Sequence, residues 1–248
     1  MVIYTFARPS FSKKRRCVLS LCLSSIVTCS KALLHVAVVT GTSHTDGPPR
    51  PVLGPRVCKF LVQHLEQQKD LVVSVLDSRQ LPLMDKPAFA YSKSQSPLHL
   101  QQIQETLQRA DAYVMITPEY NHAPSPALIN FVNHFGSSVF SYKPSAIVTY
   151  SAGQWGGTRA AIALRPILSE LGCLPVSAMI HIPHAADVLL EDGSLQAGQN
   201  GEQWDTYLQR CTSQLIWWGQ AAQNHRNNVD PFVSSPVFRS NPSQRNAP

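Results

Sequence analysis

The sequence predicts an α/β fold in which one parallel sheet lies between two layers of helices. Two observations support this prediction. Five short apolar runs recur between residues 33 and 222, and a segment with helical spacing of apolar residues follows each of them. Right-handed crossovers leave few arrangements, and the doubly wound order 2-1-3-4-5 is the natural one for five strands. We therefore expect a three-layer sandwich with a five-stranded parallel sheet.

The five predicted strands are short runs, rich in β-branched residues and free of charged ones. In chain order they are His35–Thr40, Leu71–Leu76, Ala112–Thr117, Ser145–Tyr150 and Val176–Ile182. The first run, HVAVVT, has no alternation of polar residues and ends at a glycine. Such runs are typical of strands that are covered by helices on both faces.

The predicted helices alternate with these strands. They are Arg56–Gln68, Leu98–Arg109, Pro126–Phe135, Thr158–Leu171 and Glu202–Gly219. In the second helix, Leu100, Ile103 and Leu107 recur at intervals of three and four residues, which places them on one face. Residues 81–97 contain several Pro and Ser residues and are expected to be an irregular connection.

The positive net charge of +6 lies entirely near the N-terminus. Residues 1–45 hold six of the 21 basic residues and no acidic one, which leaves 15 bases and 15 acids in the rest of the chain. A nucleic-acid-binding domain usually carries a basic patch. Because the predicted domain has no basic excess, we expect no nucleic-acid partner.

Residues 1–32 are expected to be an extension outside the fold. Lys13–Arg16 precede the apolar run Cys17–Cys29, an order typical of a signal peptide. The lack of acids is typical of a mitochondrial presequence, and a disordered extension also fits. The run is too short for a stable membrane span of about 20 apolar residues. We assign residues 33–222 to the folded domain and the polar, proline-rich residues 223–248 to a flexible tail.

The six cysteines are scattered, and none of them forms a CxxC pair. This pattern fits neither a zinc site nor a disulfide framework. We therefore expect reduced thiols in a cytoplasmic protein. Mitochondrial or secretory targeting by residues 1–30 is the alternative location.

Three loops are predicted to form the site. In doubly wound sheets ligands bind outside the carboxyl ends of the strands, where the strand order reverses. The loops there are 41–54, 118–125 and 151–157. The first begins Gly-Thr-Ser, typical of an anion site before a helix. The second begins Pro-Glu-Tyr-Asn, with a flat ring and an amide to hold a planar heterocycle. In the third, Ser-Ala-Gly-Gln-Trp-Gly-Gly, the glycines allow close backbone approach to a ligand.

These loops also carry a resemblance. The third loop and its helix read S-x-G-x-x-G-G-x-R-A-x-x-x-L-R-x-x-L from Ser151 to Leu168. With P-E-Y-N at 118–121 and L-x-N at 128–130, the chain resembles the NAD(P)H-dependent FMN reductase family of flavodoxin-like proteins, which includes quinone, azo and chromate reductases. The resemblance spans about residues 33–220. It implies a flavodoxin-like fold, FMN as cofactor, NADPH or NADH as co-substrate, a small-molecule electron acceptor and a homodimer.

The resemblance also implies roles for the matching residues. The flavin ring and ribityl chain would be lined by Pro118, Glu119, Tyr120 and Asn121. The opposite side of the ring would be wrapped by Ser151, Ala152, Gly153, Gln154, Gly156 and Gly157. Backbone N–H groups there would bond the polar edge of the ring. A hydride would pass from NAD(P)H to flavin N5 and then to the acceptor, so no catalytic side chain is implied.

The first loop departs most from the family. Thr42 stands where the family has the Ser of a G-S-x-R phosphate loop, and His44 stands at the Arg. Either His44 or Arg50 would then supply the cation. Residues 45–53 form a longer, proline-containing segment than the family has. Other departures are Ala123, Ser125 and Ile129, at positions where the family has Ser, Pro and Lys.

The altered phosphate loop supports one alternative, a flavodoxin-fold protein that binds or senses flavin with weak or no turnover. A metal hydrolase using His181, His184 and Asp187 is disfavoured, because Pro183 interrupts their spacing, and we expect no metal. A serine hydrolase is also disfavoured, since no G-x-S-x-G elbow occurs. For a homodimer, Trp155 and Phe140 are candidates for the apolar surface that the interface would cover.

Overall fold

The computed structural model describes residues 32–43, 51–92, 94–234 and 236. These residues belong to one unit of the chain, which begins at Ala32. The predicted N-terminal extension up to residue 31 lies outside them. His44, Arg50 and most of the predicted tail lie outside them as well.

A single sheet of parallel main strands forms the middle layer. Its strands are β1 (Leu34–Thr40), β2 (Leu71–Asp77), β3 (Ala112–Tyr120), β4 (Ala123–Pro124), β5 (Pro144–Tyr150), β6 (Leu174–Pro175) and β7 (Ile180–Ile182). The order across the sheet is β2-β1-β3-β5-β6, and β7 also pairs with β5. The parallel pairing places Val38 opposite Val114 and Met115 opposite Ile147. The predicted α/β class and order of the five strands are confirmed.

The fifth predicted strand is interrupted. Its first bond continues the ladder, since the N–H of Val176 donates to the carbonyl of Ser145 at 2.9 Å, and pairing with β5 resumes only at β7. The N–H of Ala178 then donates to the side chain of Gln214 at 3.2 Å, and its carbonyl accepts from the thiol of Cys211. Side chains of the last long helix therefore replace β5 as partners, and the prediction of one strand over 176–182 is wrong.

Helices cover both faces of the sheet. They are α1 (Gly54–Glu66), α2 (Leu98–Arg109), α3 (Pro126–Phe135), α4 (Ser137–Phe140), α5 (Thr158–Glu170), α6 (Ala185–Val188), α7 (Gly201–Arg226) and α8 (Pro231–Ser234). Short 3₁₀ turns lie at Ser78–Gln80 and Ala88–Ala90. The core between the sheet and α1 and α7 includes Val38 and Leu61. The core on the other face, against α2, α3 and α5, includes Val39 and Phe131. This is the predicted three-layer sandwich.

Helix α7 is longer than predicted. Gly219 marks its predicted end, yet α7 continues to Arg226. A Cβ at Gly219 would lie 3.0 Å from Leu34, so glycine here lets α7 approach β1 closely. Beyond it, Gln223 and Arg226 each donate to the carboxylate of Asp111 at 2.7 Å. Residues 223–226 therefore belong to α7, and the tail boundary predicted at 223 is wrong.

A buried histidine ties α1 to α7. The ring of His64 lies 3.1 Å from the Asp205 carboxylate through Nδ1 and 3.1 Å from the Thr212 hydroxyl through Nε2. The His64 side chain is 4% exposed. Burial lowers its pKa, and the neighbouring Asp205 carboxylate partly offsets that effect.

No helix within residues 32–43, 51–92 and 94–234 is long and apolar enough to cross a lipid bilayer.

Candidate functional site

The three predicted site segments meet at the carboxyl edge of the sheet. Thr42 follows β1, residues 118–120 end β3 with Asn121 directly after them, and Ser151 follows β5. Since β1, β3 and β5 are adjacent, their carboxyl ends lie side by side. The structure therefore brings the described members of the predicted site to one edge. It does not describe His44 or Arg50.

The second segment is a hairpin rather than an open loop. Strand β3 continues through Pro118 to Tyr120 and pairs with β4, so the predicted end of this strand at Thr117 is wrong. Asn121 and His122 form the two-residue turn with φ of 49° and 67°. Both values lie in the left-handed region that such hairpin turns require. The ring of Tyr120 is half-buried, and burial raises the pKa of its hydroxyl.

The carboxylate of Glu119 caps helix α5. It accepts hydrogen bonds from the backbone N–H groups of Arg159 at 3.1 Å and Ala160 at 3.4 Å. The Arg159 guanidinium adds an ion pair at 3.2 Å. A carboxylate at a helix N-terminus satisfies otherwise unpaired N–H groups and the positive end of the helix dipole. Glu119 is only 11% exposed, so its described contacts join the second and third segments.

Most carbonyl groups of residues 151–157, called the donor loop here, accept hydrogen bonds from the protein itself. The carbonyl of Gly153 accepts from the N–H of His184 at 3.0 Å and the hydroxyl of Ser151 at 2.7 Å. The carbonyl of Trp155 accepts from the N–H and the hydroxyl of Thr158. The carbonyl of Gly156 accepts from the hydroxyl of Thr149 at 2.8 Å.

The N–H groups of the donor loop are left for a ligand. Those of Ala152, Gly153, Gln154 and Trp155 donate to no acceptor within the part of the chain that the structure describes. All four residues are exposed. Consecutive free N–H groups form a site for acceptor atoms or anions. The donor loop can therefore bond the acceptor-rich edge of a planar ligand.

The glycines at 156 and 157 serve the protein's own packing. Both have positive φ, 59° and 82°. A Cβ at Gly156 would lie 3.0 Å from the nitrogen of Pro183, and one at Gly157 would lie 2.7 Å from Cβ of Thr149. The protein's own packing therefore accounts for both glycines, and their contact with a ligand stays a prediction. At Gly153, a Cβ would meet nothing within 4 Å.

Thr42 is buried under the start of α1. It is 3% exposed, and its side chain hydrogen-bonds the hydroxyl of Tyr150. A Cβ at Gly54, the first residue of α1, would lie 2.5 Å from Cβ of Thr42 and 2.8 Å from the Tyr150 hydroxyl. Burial raises the pKa of Tyr150. The helix N-terminus, Thr42 and Tyr150 thus meet at the end of the sheet where the phosphate loop is expected.

Trp155 is exposed at this edge, and Phe140 is not. Trp155 is 60% exposed. The guanidinium carbon of Arg159 lies 5.4 Å from the centre of the Trp155 ring. Phe140 is fully buried and packs edge-on against Tyr113 with ring centres 5.2 Å apart. Phe140 is therefore not exposed apolar surface, and that prediction is wrong.

Sequence reasoning missed the polar residues inside the strand ends. Thr149 and Tyr150 were predicted only as the end of a strand, and His181 only as a weak metal ligand. The Nδ1 atom of His181 lies 2.8 Å from the Thr149 hydroxyl, and His184 pairs with Asp187 at 4.0 Å. No group of three potential metal ligands occurs within the described residues. Their position in the sequence could have revealed them, because Thr149, Tyr150 and His181 all lie at the carboxyl ends of predicted strands.

Asp77 and Arg79 are a second pair that the sequence did not suggest. Asp77 ends β2 and Arg79 follows it, and the guanidinium donates to the carboxylate at 2.6 Å. Burial acts to raise the pKa of Asp77, but hydrogen bonds and charge from Arg79 leave it lowered. The charge of Arg79 also acts on Tyr150. A cation therefore lies near the Thr42 end of the site.

Comparisons with known proteins agree with this geometry. A family model described as NADPH-dependent FMN reductase matches residues 35–187. An NADPH azoreductase from a Bacillus strain is 26% identical over 158 residues, which cover 62% of this chain and 80% of that protein. A quinone reductase from Pseudomonas putida is 26% identical over 166 residues, 64% of this chain and 83% of that protein.

A solved structure of similar fold is FerB, a flavoenzyme NAD(P)H:(acceptor) oxidoreductase from Paracoccus denitrificans. It aligns with a TM-score of 0.63 at 22% identity and covers 77% of this chain and 99% of its own. An oxidoreductase from Corynebacterium diphtheriae aligns with a TM-score of 0.53 at 16% identity, over 79% of this chain and 99% of that one. Since the family match spans more than half of the sequence, the chain belongs to the NADPH-dependent FMN reductase family of flavodoxin-like oxidoreductases.

Proposed function

We propose that the protein binds FMN at the carboxyl edge of the sheet and catalyses electron transfer from NADPH or NADH to a quinone or a similar small acceptor. The observation that carries this proposal is the donor loop, whose four N–H groups without an acceptor among the described residues suit the acceptor-rich edge of a flavin ring. The names of the similar azoreductase and quinone reductase support the choice of acceptor class.

The residues at the edge fit the parts of FMN. Ala152, Gly153 and Gln154 would offer backbone N–H groups to the polar edge of the ring. Pro118, Tyr120 and Asn121 would line the ring and ribityl chain from the hairpin. Thr42 and the N-terminus of α1 would face the phosphate, where a helix end favours an anion. The remaining assigned residues, Glu119, Ser151, Gly156 and Gly157, would hold the two segments in place through their own contacts.

Bound FMN would supply the hydride chemistry, accepting at N5 and passing on to the second substrate. The protein's own residues would bind and orient the flavin and its substrates, and they would exclude water from the site. Glu119 is already engaged by three donors from α5, so it is proposed to position the hairpin rather than to transfer a proton. Arg159 and Trp155 would form the exposed rim at which an aromatic substrate enters.

A flavin-binding protein with weak turnover is the second candidate, favoured by one observation. The hydroxyl of Thr42 is buried and already bonded to Tyr150, so fewer donors remain for a phosphate. Weak FMN retention would follow, because a desolvated phosphate without partners is costly.

The test combines flavin binding with turnover. The purified protein is expected to be yellow or to load with FMN, and to oxidise NADPH or NADH when a water-soluble quinone is added. Gln154→Pro deletes one N–H of the donor loop and should weaken the binding of both FMN and riboflavin, whereas Gln154→Ala keeps that N–H and should bind like the parent. Flavin binding without turnover would favour the second candidate. A protein that cannot be loaded with any flavin would refute both.

Two further parts of the proposal concern assembly and location. We propose a homodimer whose interface covers exposed apolar side chains near the site, such as Trp155 and Ile162. Sedimentation equilibrium would measure the mass, and a monomer at micromolar concentration would contradict this. We also propose a cytoplasmic location, which suits the free, buried thiols of Cys58, Cys173 and Cys211. Microscopy of residues 1–248 fused at their C-terminal end to a fluorescent protein would test it.

A further inference from the structure

We infer that His181 is a positioning residue for flavin binding, which holds the donor loop in its binding conformation through the hydroxyl of Thr149. This inference rests on the proposed function. It assigns a task to a histidine outside the P-E-Y-N and G-G-x-R-A motifs, whose ring reaches the loop through the Thr149 hydroxyl.

The direction of the hydrogen bonds follows from proton counting. The Thr149 hydroxyl lies 2.8 Å from the carbonyl of Gly156 and 2.8 Å from Nδ1 of His181. A carbonyl can only accept, so the single hydroxyl proton points to Gly156. The hydroxyl oxygen must then accept from His181, which carries its proton on Nδ1. The chain of donors runs from His181 to Thr149 to the Gly156 carbonyl.

Within the described part of the protein, this chain of donors is the single support of one carbonyl group of the donor loop, that of Gly156. The carbonyls of Gly153 and Trp155 each have two donors, one of them a backbone N–H. The carbonyl of Gly156 has only the Thr149 hydroxyl among the described residues. Gly156 and Gly157 also lack the side chains that restrict backbone rotation in other residues. Without a fixed hydroxyl, the peptide between these glycines can rotate and carry the neighbouring N–H groups away from the ligand.

His181 is itself firmly placed. It lies directly opposite Thr149 in the pairing of β7 with β5, between two buried isoleucines. Its backbone N–H donates to the hydroxyl of Tyr207 on α7 at 2.8 Å. Burial lowers the pKa of its ring, which favours the neutral form with one proton. The backbone of β7 therefore places the imidazole beside Thr149.

The test measures flavin affinity of the apoprotein rather than turnover. His181→Leu and Thr149→Val remove the two donors and should each weaken the binding of FMN and riboflavin by about tenfold, the worth of one such hydrogen bond. His181→Asn, whose side-chain amide can replace Nδ1, and Thr149→Ser, which keeps the hydroxyl, should restore most of the affinity. His99→Leu, on the exposed face of α2, is the matched control.

Coupling between the two residues is the decisive measurement. The double variant His181→Leu/Thr149→Val should lose no more than the worse single variant, because both act on the same bond. Far-UV circular dichroism and thermal unfolding establish that each variant is folded. Equal affinities of His181→Leu and the parent, or additive losses in the double variant, would overturn the inference. A parent that binds no flavin would instead refute the proposed function.

Discussion

The carboxylate of Glu119 and the guanidinium of Arg159 form an ion pair at 3.2 Å between the hairpin after β3 and the first turn of α5. This pair connects the P-E-Y-N motif with the G-G-x-R-A motif in the folded protein. Each motif supplies one partner, and the backbone N–H groups of α5 reinforce the contact. The hairpin and the donor loop, both proposed to hold the flavin, are therefore tied to each other by this contact.

Glu119→Gln is expected to lower the free energy of unfolding by about 1 kcal/mol, because the helix loses a charged cap and the ion pair. Urea unfolding monitored by circular dichroism measures this change. Glu105→Gln on the exposed face of α2 is the control and should leave the midpoint unchanged. An equal midpoint for both variants would show that the Glu119 cap adds nothing to stability.

Gly157→Ala is expected to destabilise the protein by about 1–3 kcal/mol, since φ is 82° and the new Cβ would lie 2.7 Å from Thr149. Gly153→Ala, in the same loop but with open space around it, should change stability by less than about 0.5 kcal/mol. Thermal unfolding of the two variants compares them directly. If both lose the same stability, packing against Thr149 does not explain the glycine at 157.

The first loop, residues 41–54, is expected to bind the phosphate group of FMN. Thr42→Ala should weaken FMN binding more than riboflavin binding, and His44→Arg should tighten FMN alone, because guanidinium binds phosphate bidentately. Quenching of flavin fluorescence gives both affinities. Donor-loop variants, by contrast, should affect the two flavins equally. A parent with no preference for FMN, unchanged in both variants, would mean that this loop does not bind phosphate.

Stability is expected to fall below pH 6.5 because of His64. Its pKa in the folded protein is lowered from the ordinary value of 6.5, so the folded state binds fewer protons than the unfolded chain at acidic pH. The stabilisation is complete above 6.5 and is lost as the pH falls through the lowered pKa. The slope contributed is at most about 1.4 kcal/mol per pH unit.

His64→Gln should reduce this slope between pH 5 and 6.5, measured from urea midpoints. Burial lowers the pKa of His181 as well. Part of the slope should therefore persist in His64→Gln and disappear when His181 is also replaced by Gln. An unchanged slope in His64→Gln would place the acid sensitivity elsewhere.

The order of the sheet was predictable because each main parallel strand reads as an apolar run and the crossovers are right-handed. Side-chain contacts between distant elements were not predictable. Pro118 was expected to end a strand, yet β3 continues through it because β4 supplies a partner at Glu119 and Tyr120. Gly219 was expected to end α7, but Leu34 lies against it and Asp111 anchors the following turn. Pro118 and Gly219 are residue types that usually end strands and helices. The sequence did not indicate that contacts with distant elements carry β3 and α7 past them.

The same limit applies to the site. The positions of the three segments followed from the topology, but the sequence did not indicate which groups of each residue face inward. The glycines at 156 and 157 were interpreted as space for a ligand, and the sequence did not show that Thr149, Pro183 and His181 pack closely against them. The donor loop depends on the direction of peptide planes, which no residue type specifies by itself.

The interrupted last strand also bears on aggregation. An outer sheet edge normally exposes a row of N–H and C=O groups to which another chain can add a strand. Beside β5, Gln214, Tyr207 and Cys211 of α7 already bond the main chain of Ala178 and His181. Helix α7 therefore closes this edge against strand addition, and the protein is protected there from edge-to-edge association and fibre growth.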